Sequence, residues 1–386
     1  MSVRTSMVFK WLFYAVKPVI PRRAQIFLRR QLATHKRKKY SHIWPIDPSS
    51  AAPPVGWQGW PQGKKFALVL SHDVDGRKGY DNCLKLAELE EKLGFRSNFN
   101  FVPECYGRIS LGLLDELRSR GFEVAVHGLK HDGRLFLSKS IFDRQAARIN
   151  AYLKKWKTEG FTSPSMLHNL DWMGALNIKY SISTFDTDPF EPQPDGAGTI
   201  FPFVVYKKSA QHSACPLELR RQPDYSTGAV SSQLPSPPSE GSTSDLRRLS
   251  SVLCPLSSAQ ASEIDSFFIE MPYTVPQDST LFVILQEMTI DIWKRKLDWI
   301  AEKGAMALLN THPDYMNDKG RWGREEYPMR FFEEFLHYVR EEYEGQYWHV
   351  LTKEIASFWR EKVVMANRQI QNKAGRLGSE TFAEPT

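Results

Sequence analysis

The sequence predicts an α/β protein on a parallel sheet or barrel, and three observations carry that expectation. From Phe66 onward, short apolar runs alternate with amphipathic helical periods, the pattern that produces parallel strands joined by crossover helices. Three of those apolar runs end in acidic or imidazole residues, at the carboxyl edge where such folds place their sites. The chain has 386 residues, 41% hydrophobic and 25% charged, an average globular composition that excludes wholesale disorder and a multi-span membrane protein.

Each element follows from its local pattern. Phe66–Ser71 (FALVLS) reads as a buried strand. Over Tyr80–Leu93, Leu84, Leu86, Ala87, Leu89 and Leu93 recur at helical spacing, and Gly94 stops the helix. Arg96–Val102 is a second strand, Leu111–Arg120 a helix closed by Gly121, and Glu123–His127 (EVAVH) a third strand. Phe142–Lys157 is helical and ends before Gly160; the segment Ser163–Leu176 and a short strand, Tyr180–Ser183, follow. The alternation returns late in the chain: a helix over Thr280–Lys303, a buried strand Met306–Asn310, a helix over Arg324–Glu344, a strand Trp348–Leu351 and a final helix over Lys353–Lys362. The two segments 64–206 and 266–362 together have the size of one barrel-like domain. Between them, residues 207–265 are rich in Ser, Pro and Gln, include PSPPSEGSTS and lack periodicity, so they are expected to be a disordered surface insertion. Residues 363–386 are expected to be a disordered tail.

The net charge of +7 conceals an asymmetry. Residues 1–40 hold eleven Lys and Arg and no acid, and subtracting those eleven leaves −4 for the rest. The basic character therefore belongs to an N-terminal arm, which with a Pro- and Trp-rich linker fills residues 1–63, and this argues against nucleic-acid binding by the body. Within the arm, Met7–Ile20 is too short, and too interrupted by Lys10, Lys17 and Pro18, to span a bilayer. It runs into Pro21-Arg22-Arg23 without a cleavage-like site. Three readings of the arm stay open: a solvated arm packing a few apolar residues on its own domain, peripheral contact with an anionic membrane through residues 1–40, or, least favoured, contact with nucleic acid. A reducing, cytoplasmic setting fits four cysteines (Cys83, Cys105, Cys215, Cys254) with no CxxC pair.

The chemistry sits at strand ends. The first strand runs into Ser71-His72-Asp73-Val74-Asp75-Gly76, whose two carboxylates suit either a site or a helix-capping turn. The third ends in His127-Gly128-Leu129-Lys130-His131; on a helical turn that spacing puts both imidazoles on one face, as two nitrogen ligands of a divalent metal require. The late strand runs into Thr311-His312-Pro313-Asp314. One carboxylate and two histidines make a metal site with open positions. His72, His168 and His349 read as structural, and Trp57, Trp60, Trp172 and Trp322 could stack on sugar rings.

SHDVDG, HGLKH, a Ser-Pro segment and a late histidine after an apolar strand resemble the polysaccharide deacetylase superfamily (NodB-type, carbohydrate esterase 4-like), over roughly residues 64–206 and 266–362. The resemblance implies a distorted (β/α) barrel and a metal-dependent hydrolase that removes an N-acetyl or O-acetyl group from a carbohydrate. It implies Asp73 as general base, Asp75, His127 and His131 as metal ligands and His312 as general acid, with Asp186 or Asp188 orienting His312. Zinc is the first expectation for the metal, with Fe, Co or Mn also compatible with N/O ligands. An acetylated sugar, nucleotide-linked, lipid-linked or part of an oligosaccharide, is the implied substrate, in surface-polysaccharide or glycan-precursor assembly. The chain departs from the pattern twice. Its first motif is Asp-Val-Asp rather than adjacent aspartates, and Thr162 stands where the family has an arginine paired with the base. Arg96 or Arg134 could substitute for that arginine, and Thr162→Arg is expected to restore the lost charge. The alternative is a catalytically inactive carbohydrate-binding protein on the same barrel.

Overall fold

Strand β1 (Phe66–Val74) is buried along its whole length, as a run reading FALVLSHDV must be at the centre of a parallel sheet. The computed structural model describes residues 21–193, 195–207 and 267–362; the first twenty residues of the arm, the expected insertion beyond Lys207 and the tail from 363 lie outside the described residues. On either side of β1 lie β2 (Asn98–Phe101) and β8 (Met306–Thr311), both parallel to it, and Phe66–Leu68 also pair with β11 (Tyr347–His349). From β2 the sheet continues in parallel through β3 (Glu123–His127), β4 (Gly160–Thr162), β5 (Tyr180–Ser181) and β7 (Phe267–Glu270). It ends at β6 (Phe203–Tyr206), antiparallel to β7.

The sheet curls until its ends meet. Beyond β7, Val275 bridges Leu309 of β8, and the Thr274 and Val275 amides donate to the Leu308 carbonyl at 3.0 and 3.1 Å. This is the distorted (β/α) barrel that the resemblance implied, on the parallel sheet that the alternation predicted. Its crossover helices bury one stripe each. Helix α2 (Arg77–Leu93) turns Cys83, Leu86, Ala87 and Leu93 inward and stops at Gly94, whose φ of 83° is the left-handed cap that glycine adopts without penalty. Helix α3 (Leu111–Ser119) and helix α4 (Lys139–Trp156), the latter capped by the Ser138 hydroxyl, complete the first half.

Three expectations are corrected. The helix foreseen over Thr280–Lys303 is two elements, a π-helix at Ser279–Ile284 and helix α6 (Asp291–Lys303), separated where Gln286 takes a φ of 58°. Thr280–Ile284 (TLFVI) is buried throughout, so it lacks the polar stripe that would continue into an amphipathic helix. The helix foreseen from Arg324 begins only at Arg330 (α7, Arg330–Glu342), because Tyr327–Pro328 first pairs with Met316–Asn317. Strands β4 and β7 were not foreseen; at three and four residues they are too short for periodicity to register.

The linker tryptophans are core. Trp57 and Trp60 cluster with Phe201, Trp348, Phe358 and Trp359, and the Trp60 indole donates to the Gly304 carbonyl at 2.9 Å, at the amino edge of β8. They lie at the opposite edge from the strand-end acids and histidines. The arm residues from Arg22 to Lys39 form helix α1, and no described helix is long and apolar enough to cross a membrane. Helix α5 (Leu170–Met173) is one turn, its Trp172 stacked against Phe136.

One buried ion pair ties α6 to the loop after β5. Lys296 Nζ lies 2.6 Å from Asp186 Oδ2, with both side chains almost wholly buried. Removing one partner strands the other charge in a low-dielectric interior, at a cost of about 3–5 kcal/mol. Lys296→Met is therefore expected to lower the melting temperature by many degrees. The double variant Lys296→Met/Asp186→Leu should recover most of the loss, read by calorimetry on both proteins.

Candidate active site

The barrel brings the strand-end residues to one edge. Asp75, just past β1, places Oδ1 at 3.2 Å from Nε2 of His127 and at 3.2 Å from Nε2 of His131. One ligand atom from each of the three residues lies within 4.8 Å of the others. His127 closes β3, and its Nδ1 contacts the Thr162 carbonyl at 3.1 Å. With Nδ1–H donating to that carbonyl, Nε2 presents a lone pair to the cleft, the tautomer a metal ligand needs. The two histidines do not share a helical turn, as the spacing suggested. His131 comes back toward His127 through an irregular loop that starts at Gly128, whose φ is 61° and where an added Cβ would lie 2.6 Å from the Pro164 ring.

The triad fits a divalent cation on its own geometry. Asp75 Oδ1 is buried without a hydrogen-bond partner, although it faces two imidazole nitrogens, one of them with its lone pair directed inward. Burial acts to raise the pKa of Asp75, but His131 and His127 outweigh it and hold the carboxyl well below its usual range. A cation among the three atoms satisfies all of them at once. The backbone amide of Asp75 is itself fixed: Asp314 accepts it at 2.9 Å and accepts the Gly79 amide at 2.9 Å.

Asp73 is gripped by neutral groups. Its Oδ1 accepts from Asn100 Nδ2 at 2.7 Å and its Oδ2 from Asn310 Nδ2 at 2.8 Å, so amides from β2 and β8 hold the carboxylate from both sides. Neither Arg96 nor Arg134 takes this place. The Arg96 guanidinium donates to the Arg120 and Phe95 carbonyls, at the amino edge of the sheet, and Arg134 is exposed in the loop after His131. Thr162 contributes its backbone carbonyl to His127, while its buried hydroxyl has no partner.

His312 is oriented by a residue that sequence reasoning missed. Its Nδ1 lies 2.6 Å from Asp278 Oδ1, its backbone amide donates to Asp278 Oδ2 at 2.8 Å, and Tyr327 donates to the same oxygen at 3.0 Å. Burial works against a charged imidazole here, but Asp278, with Asp75 and Asp73 behind it, pushes the His312 pKa up to about 10. Asp186 and Asp188, expected in this role, turn elsewhere. Asp186 pairs with Lys296, and Asp188 shares the Tyr273 hydroxyl with Glu191, at 3.0 and 2.7 Å. Burial raises the pKa of Asp188 to about 6 and of Glu191 to about 7.

His72 and His349 take the structural places expected of them. His72 spans β1, Glu90 and Thr311 with Nε2 at 3.0 Å from Glu90 and Nδ1 at 2.7 Å from Thr311, and His349 accepts the Arg96 amide at 2.9 Å. Asn100 and Asn310 did carry a sequence signal. Each is an amide inside a strand that is buried along its whole length (NFNF and MALLNT), where a polar side chain needs a partner in the barrel interior.

The curled parallel sheet is a fold that this chain shares with a solved structure described as a polysaccharide deacetylase. Among solved structures the chain is similar to a candidate polysaccharide deacetylase from Mycobacterium smegmatis, at 14% identity and a TM-score of 0.50 over 78% of this chain and 93% of that one. It is also similar to a family 4 carbohydrate esterase pseudoenzyme from Bacillus anthracis (12% identity, TM-score 0.37, 77% of this chain and 66% of that one). A third similar structure is the carbohydrate esterase 4 domain of a multidomain xylanase from the hindgut metagenome of Trinervitermes trinervoides (10% identity, TM-score 0.35, 75% and 89%). No family model and no curated protein matches the sequence. The likeness is one of fold.

Proposed function

We propose that this protein is a metal-dependent deacetylase that hydrolyses an N-acetyl or O-acetyl group on a carbohydrate, on the cytoplasmic side of surface-polysaccharide or glycan-precursor assembly. The observation that carries the reading is the convergence at one barrel edge of a metal triad, a gripped carboxylate and a charged imidazole. Asp75, His127 and His131 would hold the ion, zinc first among the cations that such ligands accept. When bound, that ion supplies Lewis acidity, which polarises an acyl carbonyl and acidifies water. Asp73, aimed by Asn100 and Asn310, is placed to take the proton of an attacking water. His312, with Nδ1 committed to Asp278, keeps Nε2 for the substrate, and its high pKa keeps a proton there for the departing amine. An amine needs that proton because its anion is not a viable leaving group.

Thr162 in place of an arginine favours a second reading, a carbohydrate-binding protein without turnover. Against it stand the two asparagines, which hold the Asp73 carboxylate by hydrogen bonds. Acetate release from N-acetylated sugars separates the readings: none from free, nucleotide-linked or lipid-linked sugars, with several metals tried, leaves the binding protein.

The metal assignment has its own test. His127→Ala should take metal content from about one equivalent per chain to near zero, with the melting temperature checked on the same sample. Full occupancy in that variant, by elemental analysis, rules out His127 as a ligand.

A further inference from the structure

We infer that helix α1 is an interfacial helix that docks the protein on an anionic membrane surface. Its inward stripe is committed to the body. Ile26 and Ala33 are buried, Arg30 donates to the Val283 and Arg324 carbonyls at 3.1 and 2.9 Å, and Lys36 donates to the Pro189 carbonyl at 2.7 Å. The outward side carries Leu28 and Leu32, one helical turn apart, with Phe27 at its flank; they are 57%, 55% and 60% exposed. Three large apolar side chains at such exposure on one helix are unusual for a face that meets only water.

Charge selects the occupant. Residues 21–40 hold eight Lys and Arg and no acid, and Arg23, Arg29, Lys38 and Lys39 are exposed around the apolar stripe. A second copy of the chain brought up on this face would set like charges against each other across the contact. A nucleic acid would use the arginines but leave the apolar stripe without a partner. An anionic bilayer satisfies both: the apolar residues enter the acyl boundary and the basic ones meet headgroups.

The docking bears on the substrate. Ala33 packs with Val283, Ile284 and Tyr315, and the Tyr315 ring lies 5.2 Å from that of His312. The helix thus shares its inner packing with the neighbours of His312, and among acetylated sugars the lipid-linked one is the carrier such an arrangement suits. This assignment of substrate rests on the deacetylase reading; the membrane docking does not.

The test is vesicle sedimentation with the full chain, comparing phosphatidylglycerol-containing vesicles with pure phosphatidylcholine. Wild type should partition to the anionic vesicles and release with rising salt. Phe27→Ser/Leu28→Ser/Leu32→Ser, at exposed positions that should leave the melting temperature unchanged, should lose roughly tenfold or more in partitioning. Equal partitioning by the triple variant, or no preference of wild type for anionic vesicles, overturns the docking. So does a wild-type dimer in size-exclusion chromatography that the triple variant abolishes, since the face would then belong to a second copy. Docking retained with faster turnover of nucleotide-linked than of vesicle-borne acetylated sugar overturns the substrate assignment alone, and docking without any acetate release refutes only the deacetylase reading.

Discussion

Asp73→Asn is expected to abolish acetate release while the metal stays bound, because it removes the proton acceptor and no ligand. A positioned general base contributes about 10²–10⁴-fold, so the residual rate should fall by at least the lower figure, with metal content unchanged by elemental analysis. Loss of metal together with activity would instead make Asp73 a ligand. The grip on Asp73 predicts a graded series beneath this. Asn100→Ala and Asn310→Ala each remove one hydrogen bond to the carboxylate, worth about 1.5–3 kcal/mol for a charged acceptor. Each should therefore cost roughly 10–100-fold in kcat with little change in metal affinity. The structure also reverses the expectation for Thr162→Arg. Thr162 is buried, its carbonyl sets the His127 tautomer, and both oxygens of Asp73 already have donors. A longer side chain there should reduce activity rather than raise it.

His312→Ala is expected to lower turnover by about 10²–10⁴-fold on amides and less on esters, since an alkoxide leaves more readily without a proton. The pH profile carries the sharper result. Proton donation needs the charged imidazole, so activity should fall as pH rises through the His312 pKa, which Asp278 holds above the ordinary histidine value. Asp278→Asn removes the nearest negative charge and should move that alkaline limb down toward the ordinary histidine value of about 6.5. A bound dication offsets Asp73 and Asp75 more than it offsets Asp278, so the shift on substitution survives metal loading. An alkaline limb that Asp278→Asn leaves in place would show that another group donates the proton. Asp188→Asn serves as the contrasting variant, for it lies on Tyr273 and Glu191 and should leave the limb where it is.

Much of this architecture was legible because it depends on local pattern. β1, β3 and β8 are apolar runs bounded by turn residues, and their ends announced Asp73, Asp75, His127, His131 and His312 as neighbours on one edge. The partners of those residues were not legible, for a physical reason. A carboxylate can be steadied by any donor that tertiary structure delivers, and nothing near Asp73 in the chain indicates that amides 27 and 237 residues away reach it. Asp278 stands 34 residues before His312, in a Gln-Asp-Ser-Thr stretch that reads as an ordinary helix cap. Asp186-Thr187-Asp188 drew attention as an acidic segment, yet burial beside Lys296 and Tyr273 commits it to the packing of the barrel. The same limit applies to α1. Its basic composition was plain in sequence, but which side chains face the body and which face outward became definite only once Ile26 and Ala33 were seen to be buried.

Two amides where the resembled enzymes carry a guanidinium leave the cleft one positive charge poorer. Asp73 and Asp75 bring one negative charge each, and protonated His312 is balanced by Asp278, so a dication would bring the total to neutral rather than to a single positive charge. Amide hydrolysis would deposit acetate and a cationic amino sugar in that space, and one unit charge at 4 Å is worth about 4 kcal/mol at an effective dielectric of 20. The neutral grip therefore loosens the hold on acetate and weakens the repulsion of the ammonium. On the deacetylase reading, product inhibition is therefore expected from the amino sugar more than from acetate.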